Sequence, residues 1–218
     1  MKSDSGLIGD VTEELAFDPR IVDVDGVAVS ADAGVVTLRG TVGSFSQKRA
    51  ARAAAQRGGG VTAVRNELQV RLMTEGRRAD SDIRAAALQA LMLDGDVPAE
   101  RIDVKVSAGV LRLTGEVAWQ FQRDAAEADV LPLIGVVDIE DQITVDNEAS
   151  AADVADRIND AFVRNAQLDD SAIEVSSDAD AVTLSGVVRT WSEHDEALDA
   201  AWSAPGIARV RDELEIVY

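Results

Sequence analysis

The heptapeptide Val36-Thr37-Leu38-Arg39-Gly40-Thr41-Val42 returns twice in this chain, as Leu111-Arg112-Leu113-Thr114-Gly115-Glu116-Val117 and as Val182-Thr183-Leu184-Ser185-Gly186-Val187-Val188. A repeat constrains the fold more than composition does, because each copy must be one structural unit. The glycines Gly40, Gly115 and Gly186 lie 75 and then 71 residues apart. Apolar residues keep fixed offsets ahead of them: Val27 and Val29, Ile102 and Val104, Ile173 and Val175. Behind them come Val64, Leu68 and Val70, then Ile139, Ile143 and Val145, then Val210, Leu214 and Ile216. A block of 44 positions, 27–70 in the first copy, aligns without a gap in all three.

Alternation with a period of two marks a strand with one buried face. Val36, Leu38 and Val42 share that face, and Gly40 falls on it. A glycine in a strand lets another backbone approach closely. The helix after it has small residues at repeated positions: Ala51, Ala126 and Ala197, then Ala55, Val130 and Ala201, then Gly58, Leu133 and Ala204. Spacings of four and three put these on one helical face. The three glycines are therefore expected to pack against that helix.

A first helix opens each unit: Leu7, Val11 and Leu15 match Ile83, Ala87 and Leu91, and Val154, Ile158 and Phe162. The expected N-caps are Asp4 or Ser5, Ser81 or Asp82, and Asp153. Asp18-Pro19 ends the first copy, since a residue before proline leaves the helical region. A hairpin follows, turning at Asp32-Ala33-Gly34, at Ala108-Gly109 and at Ala179-Asp180; the last lacks the glycine and is expected to be looser. Helix two is expected over 46–58 and strand three over 63–71. A right-handed crossover makes strands two and three parallel. The fold class is thus α+β, with three tandem αββαβ units, each a three-stranded mixed sheet covered by two helices. They span 4–72, 80–146 and 151–218, joined by short linkers at 73–79 and 147–152.

Units of this size are marginal alone, so packing between them is expected. The chain has no cysteine, which removes disulfides and thiolate metal sites. Met1 to Asp10 holds no apolar run of signal-peptide length, and no stretch approaches membrane-spanning length; the expected location is the cytoplasm. Net charge is −19, and it is unevenly shared: residues 1–72 are neutral, 73–146 carry −8 and 147–218 carry −11. Helix two of the first unit bears Lys48, Arg49, Arg52 and Arg57, where the third unit bears Glu193, Asp195, Glu196 and Asp199. Such faces are either solvated or steer a head-to-tail contact, within the chain or between chains, with the third unit as the acidic counterpart.

These residues resemble the BON domain, named for bacterial osmotically inducible and nodulation proteins. The resemblance rests on Asp18-Pro19, the V-T-L-x-G-x-V strand, Ser44, the helix start Gln47-Lys48-Arg49-Ala50, and the G-V-x-x-V-x-N-x-L-x-V close from Gly60 to Val70. Segments 115–122 and 191–206 further resemble bacterial proteins made only of three such domains and lacking a signal sequence. The resemblance implies an αββαβ fold, osmotic or envelope stress, protein partners or phospholipid surfaces, and no catalysis. Asp180 departs from the turn glycine, and Asp141 and Asp212 from the amide at Asn66. Relatives that bind potassium pair one such domain with a different module, which this chain lacks.

The search for chemistry names no catalytic residue, no metal ligand and no cofactor. His194 is the one histidine and is expected to be a solvated helix residue. The Asp-x-Asp pairs Asp23/Asp25, Asp94/Asp96 and Asp178/Asp180 do not continue into a calcium loop and read as turn residues. Gly58-Gly59-Gly60 ends a helix, so its amides point away from an anion site. Asn66, Asp141 and Asp212 fall on the apolar face of strand three and must find hydrogen bonds, expected with the preceding loop. The candidate binding residues are the junction aromatics Phe45, Trp119, Phe121 and Trp191 and the basic residues Lys48, Arg49 and Arg52. The expected function is a non-enzymatic bacterial stress-adaptation module binding a protein partner or itself; the alternative is a peripheral phospholipid-surface binder. The acidic charge argues against nucleic acid.

Overall fold

A computed structural model describes residues 2–145, 154–165, 168, 172–178, 181–204, 207 and 209–217. The linker at 147–152, the Asp153 cap, the Ala179-Asp180 turn and Gly206 lie outside the described residues. Contacts divide the chain into two compact units, residues 1–115 with 124–143, and residues 116–123 with 144–218. The element order repeats three times: α1 (Asp4–Phe17), β1 (Val27–Asp32), β2 (Val35–Val42), α2 (Phe45–Gln56) and β3 (Ala63–Val70) form domain one. Domain two has α3 (Asp80–Leu93), β4 (Ile102–Ser107), β5 (Val110–Val117), α4 (Gln120–Val130) and β6 (Asp138–Val145). Domain three has α5 (Val154–Arg164), β7 (Ile173–Asp178), β8 (Ala181–Val188), α6 (Trp191–Trp202) and β9 (Arg209–Ile216).

Each sheet has three strands with the second in the centre. β1 runs antiparallel to β2, with Val27 opposite Gly40, and β2 runs parallel to β3, with Val35 opposite Ala63. Domain three repeats both pairings. Period two then decides the layers. Val36, Leu38 and Val42 point to the helices and are buried, while Arg39 and Thr41 face outward. Leu7, Val11 and Leu15 of α1 and Ala51, Ala54 and Ala55 of α2 close the same core. In domain three the core gathers Ile158, Phe162, Leu184, Val188, Ala197 and Ala201. Alanine on α2 and α6 lets a helix sit close to a small sheet.

The hairpins turn through two residues, and both have positive φ: Ala33 (48°) with Gly34 (86°), and Ala108 (51°) with Gly109 (78°). Turns of that hand match the twist of the flanking strands. In domain two, both Asp80 carboxylate oxygens clamp the turn, accepting from Ala108 N at 2.8 Å and Gly109 N at 2.9 Å.

Two local expectations are corrected. The N-cap of α1 is Ser3, whose Oγ accepts from Gly6 N at 3.3 Å, because the helix begins one residue earlier than its apolar pattern suggested. α3 follows Ala79, which offers no side-chain cap; Ser81 and Asp82 are already inside the first turn. The Asp18 ending stands as expected, with its N–H donating to Glu14 O. Its carboxylate is 4% exposed and is held by Arg20 Nε (2.9 Å), Arg20 Nη2 (2.7 Å) and Arg57 Nη2 (3.2 Å). The Arg20 side-chain hydrogen bonds, then the Arg20 amide and Arg57, overcome desolvation and hold that carboxyl well below the usual carboxylate range.

The third correction concerns the repeat glycines. Gly40, Gly115 and Gly186 have φ of 124°, 148° and 123°, a region that side chains rarely enter. A Cβ on any of them would overlap a carbonyl oxygen, that of Gly26, Arg101 or Ala172. The backbone approaching each glycine is thus the residue entering the first strand, not the second helix. The same carbonyls receive the next amides, Thr41 N to Gly26 O at 3.1 Å and Val187 N to Ala172 O at 3.0 Å.

Candidate functional site

The strand-to-helix junctions are built alike in domains one and three. Ser44 caps α2, accepting from Gln47 N at 3.2 Å, and Gln47 Oε1 accepts from Gly43 N at 3.3 Å. Thr190 caps α6, accepting from Glu193 N at 3.0 Å, and Glu193 Oε2 accepts from Arg189 N at 2.7 Å. Reciprocal capping of this kind fixes the entry of a helix. In domain two, Gln122 Oε1 accepts from Ala118 N and Trp119 N, both at 3.1 Å.

These rigid junctions divide the four aromatics. Phe45 is buried, 6% exposed, and Trp191 is half-buried against the core of domain three with its ring edge-on to His194 at 5.3 Å. Phe45 is therefore an interior residue and no exposed binding surface, while Trp191 keeps part of its ring at the surface. Trp119 is 37% exposed and Phe121 55%, so these two remain at the surface. The gap-free alignment explains the division. Phe45 and Trp191 occupy the same first helical position, whereas Trp119 and Phe121 occupy the flanking positions of Ser44 and Ser46.

The basic helix of domain one meets acid within the first compact unit, and the acid belongs to domain two. Arg49 Nη1 pairs with Glu127 Oε1 at 2.7 Å, Lys48 Nζ lies 3.8 Å from Asp138 Oδ1, and Ser46 Oγ donates to Leu131 O at 3.0 Å. Arg57 turns back to Glu14 at 2.9 Å and to Asp18. Arg52 is exposed.

His194 is not a solvated residue: it is 8% exposed. Its Nε2 lies 2.9 Å from Asp212 Oδ2 and its Nδ1 3.2 Å from Asp195 Oδ1. The first of these contacts reaches the polar residue of strand three. In domain one, Asn66 Nδ2 donates to Lys48 O at 2.8 Å while its Oδ1 accepts from Leu68 N at 3.2 Å, so the tie runs to α2 and not to the preceding loop. Asp141 and Asp212 keep the second bond, to Ile143 N at 2.9 Å and Leu214 N at 3.1 Å. A carboxylate cannot donate to a carbonyl, and the histidine at the Lys48 position supplies the missing donor in domain three.

The outer sheet faces are polar. Arg39 pairs with Glu67 directly across the strands at 2.7 Å, and Arg112 with Glu140 at 2.6 Å. That hydrogen bond from Arg39 lowers the Glu67 carboxyl below its ordinary range. Sequence reasoning missed a groove on domain one, where Val22 and Met73, 81% and 74% exposed, line its rim with Thr41, Gln47 and Arg71. Isolated apolar residues in loops carry no periodic signal that would have found it. Among the described residues there is no group of three or more metal-ligating side chains, and no helix is long and apolar enough to cross a membrane.

The fold and its surfaces define a class of small α+β modules repeated in tandem, with polar outer sheets and charged helix faces. The chain belongs to the BON domain family, whose profile matches residues 3–71, 79–147 and 150–218. It is 31% identical to Osmotically-inducible protein Y of Escherichia coli (strain K12) over 144 residues, 64% of this chain and 71% of that protein. Solved structures of CdsD, a structural protein of the Type III secretion system of Chlamydia trachomatis, match at 14% identity. One covers 97% of this chain and 92% of its own, with a TM-score of 0.27. The other, its C-terminal domain, covers 100% of both at 0.28. At such scores these overlays carry no argument.

Proposed function

We propose that this protein is a non-enzymatic interaction module of osmotic stress adaptation, binding a protein partner through its helix-two and strand–helix junction surfaces. The stress association is supported by membership in the BON domain family and by similarity to Osmotically-inducible protein Y. The observation that supports the binding reading is the docking of Ser46, Lys48 and Arg49 on domain two, a polar and charged contact of this helix face with a protein surface. At the corresponding junction of domain two, Trp119 and Phe121 carry exposed rings, the residue type that anchors protein interfaces.

A deletion strain under osmotic upshift tests this reading. Wild type is expected to restore growth, while Trp119→Ser with Phe121→Ser fails to do so with an unchanged melting curve. Equal rescue by both overturns it. The exposed rings also suit a lipid interface, although a net charge of −19 opposes an anionic one. Co-sedimentation with neutral and anionic vesicles separates that alternative, because a protein-binding module stays in the supernatant with both.

A further inference from the structure

The contact between domains one and two joins two different surfaces of the same repeat. Domain one gives the start of α2, with Ser46 and Arg49; domain two gives the end of α4, with Glu127 and the Leu131 carbonyl. Such a head-to-tail contact leaves the complementary surface of each repeat available for the next copy. In domain one that surface is the end of α2, where Arg52 and Gln56 stand at the positions of Glu127 and Leu131. In domain three the opposing surface is the start of α6, where Ser192 and Asp195 stand at the positions of Ser46 and Arg49.

By the gap-free alignment with the observed contact, the two surfaces offer a matched pair with its charges exchanged. Arg49–Glu127 becomes Asp195–Arg52, and the serine hydroxyl that reaches Leu131 O becomes Ser192 facing Gln56 O. Arg52 and Ser192 are exposed, and the Asp195 side chain is 65% exposed. The Lys48–Asp138 pair has no counterpart, since His194 turns to Asp212 and Ala63 is apolar. Electrostatics favours the match. α6 crowds Asp195, Glu196 and Asp199, and burial followed by these two neighbours raises the Asp199 carboxyl above its ordinary range. A cation beside Asp195 relieves that crowding.

We propose that a second copy of this chain is a partner of the module, seating the start of its α6 on the end of α2 in domain one of the next copy. This deepens the proposed function and rests on its reading of helix-two surfaces as docking faces. The contact is heterologous, so it forms a ring where the rotation closes and a filament where it does not. It is polar and therefore weakens with salt.

Light scattering and sedimentation over a range of protein concentrations, at low and moderate salt, test it. Wild type is expected to associate with concentration and to dissociate with salt. Arg52→Asp alone and Asp195→Arg alone should each stay monomeric, because each sets like charges face to face. An equimolar mixture of the two variants should associate again, since each then offers the other opposite charges; this regain also shows that neither variant is misfolded. A monomeric wild type at every concentration overturns the proposal, as does association of either single variant like wild type. If the wild type is monomeric while osmotic rescue still depends on Trp119 and Phe121, the self-association fails and the proposed function stands. If it associates while rescue ignores those rings, the reverse holds.

Discussion

Domains one and three share a fold position by position, yet they tie strand three to helix two by different chemistry. In domain one an amide, Asn66, donates to the backbone carbonyl of Lys48. In domain three a carboxylate, Asp212, takes its partner from the side chain of His194 at the same helical position. In both domains a polar side chain of strand three, half-buried as Asn66 and exposed as Asp212, takes a partner from helix two. Backbone ties tolerate any side chain at the helix position, whereas side-chain ties fix it. The one histidine thus ties strand three to helix two, with its ring edge-on to Trp191.

The largest expected effect tests what the domains share. Gly40→Ala and Gly186→Ala should each cost about 3 kcal/mol, from a strained φ and a clash with the Gly26 or Ala172 carbonyl. Urea unfolding followed domain by domain checks this; a small effect at Gly186 alone would show that the domains differ at the glycine too. Asp18→Asn comes next, at about 1–2 kcal/mol, because a buried carboxylate loses charged hydrogen bonds while its arginine partners are exposed. The Asp18 carboxyl is lowered in the folded state, so its contribution is full above the unfolded value near 4 and is lost as pH falls through the folded one. Wild type and variant should therefore converge in acid, which melting curves over an acid series will reveal.

The comparison itself is sharpened by four smaller changes. His194→Ala should cost about 1 kcal/mol by removing a buried ring and its contact with Asp212, while Lys48→Ala should leave the Asn66 tie intact, since the carbonyl remains. Adding Asp212→Asn to His194→Ala should recover the loss, converting domain three to the domain-one solution; no recovery would break the equivalence. Arg39→Ala should move the melting temperature least, because its pair with Glu67 lies in solvent.

Much of this fold was legible in the sequence, because a gap-free repeat reports the same buried face three times. The positive-φ turns at Gly34 and Gly109 and the helix stop at Asp18-Pro19 were local and readable. The partner of Gly40 was not, since a glycine announces a close approach without naming the backbone that makes it. The site was legible only in part. Distance from the glycine grouped Phe45 with Trp119, although one register step turns one ring inward and the other outward. The pairing of Asn66 with Lys48 and of Asp212 with His194 left a trace in the aligned columns, where donor and acceptor change together. The contact of Arg49 with Glu127 left only complementary charge.

The parallel β2–β3 ladder also sets an order of assembly. β1 and β2 meet across a two-residue turn, but Arg39 and Glu67, opposite each other in the ladder, are 28 residues apart in the chain. Closing the larger loop costs more chain entropy before any contact rewards it, and α2 must be in place to shorten the span. Hairpins should therefore form early in all three domains, with the third strand closing last. Folding rates should accordingly fall on substitution of Ala51 in α2 and respond little to Leu68 in β3, a difference that stopped-flow kinetics of the two variants measures directly.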